Sequence, residues 1–193
     1  MALGLVAAGA CGGGSGEPGG AAPDSVAADS GAIALDAPTC SAALLEPPAE
    51  AAPGLPPAVA ETRRAILRAA IACDYARLEE LALRGGAFTY SFGDADRPAE
   101  FWRALETTGE DPLAMLVRTL GLPWARETLE VEPFVFYVWP SAYLIEADEA
   151  DWEAVAGLYT PEEIETMREY GGFIGWRTGI EDDGDWRFFV AGD

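Results

Sequence analysis

The sequence predicts an α+β fold: helices packed on one antiparallel sheet, closed by a C-terminal β-hairpin and preceded by a disordered Ala/Gly/Pro-rich segment. Three observations carry this. Gly171 to Asp193 reads GGFIGWRTGIEDDGDWRFFVAGD, two alternating runs about a turn. Phe134 to Trp139 reads FVFYVW, apolar on both faces, as a strand covered on both sides must be. Between them and before them, Pro, Asp, Thr and Gly stand where helices begin and end.

The first 62 of the 193 residues hold no aromatic residue and no Arg, and 36 of them are Ala, Gly or Pro. Such a stretch cannot bury enough apolar surface to offset its conformational entropy. Residues 1–11 therefore read as a leader-like segment, 12–57 as a tether, and 58–193 as a single α+β domain. The tether is flexible at GGGSGEPGG and stiffer at EPPAEAAPGLPP.

Within the domain, Ile66, Leu67, Ala70 and Ile71 recur at helical spacing. Asp74 is placed to cap a second helix, Tyr75 to Leu83, with Leu78, Leu81 and Ala82 inward, and Gly85-Gly86 stops it. Ala87 to Phe92 alternates as a half-buried strand. Pro98 opens a helix through about Thr107 that turns Phe101, Trp102 and Leu105 inward. Asp111 caps the next, with Pro112 first and Leu113, Leu116, Val117 and Leu120 inward. After the FVFYVW strand, Asp148 to Leu158 forms a short helix. Thr160-Pro161-Glu162-Glu163 opens another with a capping box, running to Tyr170.

The final hairpin closes on Asp182-Asp183-Gly184 as a three-residue loop, with Gly184 in the left-handed conformation. Glu181 then pairs with Asp185, Ile180 with Trp186, Thr178 with Phe188 and Trp176 with Val190. This register puts Ile174, Trp176, Ile180, Trp186, Phe188 and Val190 on one face. Gly175, Arg177, Gly179, Asp185 and Arg187 lie on the other, with Phe189 the one apolar exception.

The chain has no Lys and no His. A His base, a Schiff-base Lys, a His metal ligand and the Ser-His-Asp and Cys-His arrangements are therefore excluded. Net charge is −21; from Arg63 onward 26 acids stand against 12 Arg, a net −14. Such a surface repels nucleic acid and anionic headgroups. The high Ala, Gly, Arg and Pro content is that of a GC-rich bacterial coding sequence.

Met1 to Cys11, MALGLVAAGAC, is a short apolar run ending in small residues before a Cys, followed by CGGGSG. It resembles the end of a bacterial lipoprotein signal peptide, with Ala8-Gly9-Ala10-Cys11 at the lipobox positions. The resemblance implies lipidation at Cys11 and an extracytoplasmic protein anchored to the cell membrane by lipid or released, and it places the start of translation upstream of Met1. Cys40 and Cys73 then remain as one pair open to a disulfide in an oxidising space. The alternative is two free thiols, with Cys73 a small buried hydrophobe.

The opening RRAILRAAIACDYARLEELA followed by FTYSFG, and the closing DGDWRFFVAGD, are similar to nuclear-transport-factor-2-like domains, cone-shaped α+β folds. That likeness implies a pocket between a curved sheet and the opening helices. It implies either a small isomerase or dehydratase using a carboxylate with a Tyr, or a binding domain without catalysis.

Carboxylates, Tyr, Arg and Cys are the only groups left for chemistry. Tyr90, Tyr137, Trp139 and Tyr143, with Arg177 or Arg187, are the candidates for lining a ligand pocket; core packing is the competing use of the aromatics. Asp94, Asp96, Arg97 and Glu100 cluster after the first strand, but Pro98 breaks the register of a calcium loop, so turn and cap chemistry is expected. Glu181 to Asp185 reads as a charged hairpin loop. No cofactor and no metal is expected. The functional expectation is an exported, lipid-anchored protein whose domain binds a small molecule or an envelope protein without catalysis. A small cone-fold enzyme and a structural envelope protein are the alternatives.

Overall fold

Proline and capping side chains open the helices largely where the sequence places them. A computed structural model of the protein describes residues 39–50, 53–91, 97–128 and 134–192. The leader-like segment with Cys11, and the tether as far as residue 38, lie outside the described residues. Helix α1 (Pro57–Ile71) begins on its proline, and α2 (Tyr75–Leu83) is capped by Asp74, whose carboxylate accepts from the Arg77 N–H at 2.9 Å. Strand β1 (Thr89–Tyr90) follows, then α3 (Pro98–Thr108) and α4 (Pro112–Thr119). Pro112 is in the first turn of α4, but the Asp111 side chain makes no capping bond. Strands β2 (Ala125–Thr128) and β3 (Val135–Trp139) lead into a single 3-10 turn at Ser141–Tyr143. Helix α5 (Glu149–Val155) is capped reciprocally by Asp148 and Asp151, and α6 (Pro161–Tyr170) by Thr160 and Glu163. Strands β4 (Arg177–Glu181) and β5 (Trp186–Val190) form the closing hairpin.

The five strands make one sheet in the order β1-β5-β4-β3-β2. It is mixed and not purely antiparallel as expected: β1 runs parallel to β5, pairing Thr89 with Phe188 and Tyr90 with Phe189. A strand so far from its partner in sequence needs no hairpin and is free to take either direction. β2 was not foreseen. Its four residues, ARET, are half-buried by alternation at the sheet edge, too short and polar to announce a strand. β3 is an interior strand, flanked by β2 and β4.

The hairpin loop is as expected: Gly184 has φ 97°, its N–H reaches the Glu181 carbonyl, and the Glu181 N–H reaches the Asp185 carbonyl. Ile180 pairs with Trp186, also as expected. Beyond that pair the register corrects by one residue, so Gly179 faces Phe188 and Thr178 faces Phe189. A bulge at Trp186-Arg187 opposite Ile180 causes the shift. It turns Phe189, the apolar exception of the regular register, into the core, and sends Phe188 to the opposite face.

The main core lies between one sheet face and helices α1 to α4. Trp102, Trp139, Trp186, Phe189 and Ile180 are completely buried there. Trp102 stacks on Trp186 with ring centroids 5.7 Å apart, Phe88 meets Trp186 edge-on at 4.8 Å, and Trp176 stacks on Phe189 at 4.6 Å. A second, smaller cluster gathers Ala142, Val155, Met167 and Phe173, with Tyr143, Trp152 and Tyr159 against it.

The tether expected through residue 57 ends earlier. Residues 39–50 form a strap on the domain. Cys40 is disulfide-bonded to Cys73, Cα to Cα 5.7 Å, at the turn between α1 and α2. The Ser41 hydroxyl donates to Glu106 at 2.7 Å and accepts from the Ala114 N–H, and Ala42 is fully buried. Buried Arg63 donates to the carbonyl of Leu120 at the end of α4 and to the carbonyl of Ala49 in the strap. Small residues can be held this way without aromatic anchors, because the holding is done by hydrogen bonds and one covalent bond.

Candidate functional site

The alternation of the strands gives the sheet a second face, opposite the four helices, and the residues on it differ in kind from the core. From β3 come Phe136 and Val138, from β4 Gly179 and Glu181, from β5 Arg187 and Phe188. Glu127 of β2 sits beside Phe136 in the ladder, and Thr89 of β1 beside Phe188. The chain then leaves β3 through the 3-10 turn and brings Tyr143 against this face, its ring centroid 6.4 Å from that of Phe188. Phe134 and Phe136 meet at the same distance. Apart from Val138 and Gly179, these residues line an open cleft of about 460 Å³.

Phe188 is the pivot of the cleft floor. Its ring lies over Gly179 so closely that a Cβ there would run into it. Glycine in the middle of a strand ordinarily weakens it, and close approach of another group is the usual reason it is kept.

The charges at the cleft are arranged in one tight pair. Arg187 binds Glu181 through Nε and the Gly85 carbonyl through Nη1, the latter at 2.8 Å. The Glu181 side chain is only 6% exposed, so the pair is desolvated on the carboxylate side and each member depends on the other. Arg177 sets its guanidinium 5.6 Å from the Tyr143 ring centroid. Burial pushes the Tyr143 hydroxyl pKa up, Glu127 adds to that, and Arg177 opposes it. Tyr143 is thus held as the neutral phenol, a donor at ordinary pH.

The sequence candidates divide. Tyr143, Arg177 and Arg187 come together on the second face. Tyr90, Tyr137 and Trp139 do not join them, because β1 and β3 turn these residues into the main core. Tyr90 packs on Phe101 at 5.5 Å, Tyr137 on Trp124 at 5.4 Å, and Trp139 is fully buried. The space between the sheet and the opening helices, where the cone-fold likeness implies a pocket, is filled by Trp102, Trp186 and their neighbours. Glu127, Phe136 and Phe188 were missed. The signal for Phe136 was present: a strand apolar on both sides has a second face to cover. The signal for Phe188 was the misfit of Phe189.

Among the described residues the other acidic clusters do not form sites. Asp94 and Asp96 lie outside the described residues. Arg97 pairs with Glu79. Among the described residues no three Cys, Asp or Glu side chains converge to hold a metal ion, and no helix is long and apolar enough to cross a membrane. No protein-family model matches the chain, and no curated protein and no solved structure matches it.

Proposed function

We propose that the protein is an exported bacterial lipoprotein, anchored through Cys11, whose domain binds a small molecule in the second-face cleft without catalysing a reaction. The observation that carries the binding reading is the cleft itself, half-open, aromatic-walled and furnished with a few convergent polar groups. Its volume of about 460 Å³ lies within the roughly 300–1,000 Å³ of small-molecule sites. Export is supported by the small-residue run before Cys11 and by the Cys40–Cys73 bond, of a kind that persists in oxidising compartments.

Catalysis finds less support. A general acid or base works best with a pKa near the operating pH. The Tyr143 hydroxyl is displaced the other way, and Glu181 is tied to Arg187.

Two measurements test the proposal. Expressed in a bacterial host from its native gene start, the parent protein is expected in the membrane fraction and Cys11→Ser is expected to leave it; identical fractionation of the two would remove the anchor. In a fragment screen by ligand-observed NMR, binders of the parent are expected to be lost by both Phe136→Ala and Phe188→Ala. Binders indifferent to both substitutions would remove the cleft.

A further inference from the structure

We propose that the cleft takes a small organic cation, an amine or quaternary ammonium group carried on an apolar body. This rests on the cleft being the binding site. Four rings line it, in two tilted pairs: Phe134 with Phe136 at an interplanar angle of 50°, and Tyr143 with Phe188 at 49°. The face of an aromatic ring is the negative part of its quadrupole, so a cation is attracted wherever one of these rings offers its face to the hollow.

Glu127 supplies the full negative charge. It lies on the cleft face beside Phe136, and its side chain makes no hydrogen bond or ion pair among the described residues. The other two charges on the wall, Glu181 and Arg187, neutralise each other. Arg187 is tied at Nε by Glu181 and at Nη1 by the Gly85 carbonyl, so its fork is not presented to an anionic ligand. The wall's capacity for cations is already used once by the fold, where Arg177 lies over Tyr143. A chain of net charge −21 also concentrates small cations and repels anions.

The probe is choline, compared with its uncharged isostere neohexyl alcohol, titrated into the full chain and followed by chemical shifts. Choline is expected to bind the parent at least about tenfold more tightly than the alcohol. Glu127→Gln is expected to weaken choline about tenfold and leave the alcohol unchanged, since only the charge is removed. Phe136→Leu keeps the bulk of the wall without the ring face and is expected to weaken choline more than the alcohol. If the alcohol binds the parent as tightly as choline, the cleft is a site for neutral apolar ligands and the cation inference falls. If neither binds, the inference falls as well, and the fragment screen alone decides whether the cleft binds anything.

Discussion

Trp186 donates its indole N–H to the hydroxyl of Thr178 at 2.7 Å, deep in the main core. That hydroxyl donates in turn to the Phe188 carbonyl, also at 2.7 Å. This indole N–H is thus satisfied within its own hairpin, by Thr178 of the facing strand and by the Phe188 carbonyl at 3.0 Å, and the bond to Thr178 ties the shifted register to the core. Thr178→Val keeps the shape and removes the acceptor. The indole N–H keeps its second acceptor, the Phe188 carbonyl, so the expected cost is about 0.5–1.5 kcal/mol, the net worth of one hydrogen bond. Thr178→Ser is expected to lose less. Urea denaturation of the three proteins gives the comparison, and a Thr178→Val protein as stable as the parent would mean the bond is not made.

The bulge at Trp186-Arg187 separates two neighbouring phenylalanines. Phe189→Ala empties the core and is expected to cost roughly 3–5 kcal/mol. Phe188→Ala acts on the half-open cleft and should cost clearly less. A regular hairpin without the bulge would reverse the two values, so the pair of denaturation curves reads the register directly.

Gly179→Ala places a methyl against the Phe188 ring. The ring must swing away, at a cost of roughly 1–3 kcal/mol. The double variant with Phe188→Ala is expected to recover part of that loss. Strict additivity of the two changes would show that they do not touch.

Cys40 and Cys73 close a loop with a sequence separation of 33. Reduction is expected to cost about 3–4 kcal/mol on the chain-entropy account of such a loop. Cys73 also carries a left-handed backbone, φ 54°, where its N–H and that of Asp74 turn back to Ala70 and Ala69 to end α1. Mass spectrometry without reductant should show the linked peptide, and denaturation midpoints with and without reductant should differ.

High pH should unfold the protein through its buried tyrosines. Burial first of all raises the Tyr159 pKa to about 12, against an ordinary value near 10, while its oxygen accepts from the Trp176 N–H. Above pH 10 the unfolded chain loses the proton first, so stability is complete below that pH and falls as pH rises towards 12. The contribution of this one group is about 2–3 kcal/mol. Tyr75 is shifted in the same direction, also by burial. Stability curves between pH 8 and 12 should flatten in Tyr159→Phe; an unchanged slope would mean the hydroxyl is not protected.

Most of the helical half was legible because local chemistry decides it. Asp74, Thr160, Glu163 and the opening prolines act within one turn of chain, and the apolar spacing of Leu113, Leu116 and Leu120 needs only one neighbour to pack on. The sheet was legible where a turn residue fixed it, as Gly184 does. It failed where pairing is non-local: β1 joins β5 across the whole domain, and β2 has no apolar pattern of its own. The site was half legible. Tyr143, Arg177 and Arg187 were found, but a single bulge decided whether Phe188 or Phe189 would face the cleft. Tyr90, Tyr137 and Trp139 went to the core, since residue type does not say which side of a strand is roofed by helices.

The strap also decides how the domain carries load. A pull transmitted through the residues before Cys40 enters the fold at the sulfur of that residue and passes directly to Cys73. The strap and α1 lie outside this covalent path and bear none of the pull. Tension therefore reaches α2 and the sheet without stretching the strap, and the hydrogen bonds of Ser41 and Arg63 are spared. Reduction would reroute the same force through those bonds, one after another, peeling the strap away before the core felt it.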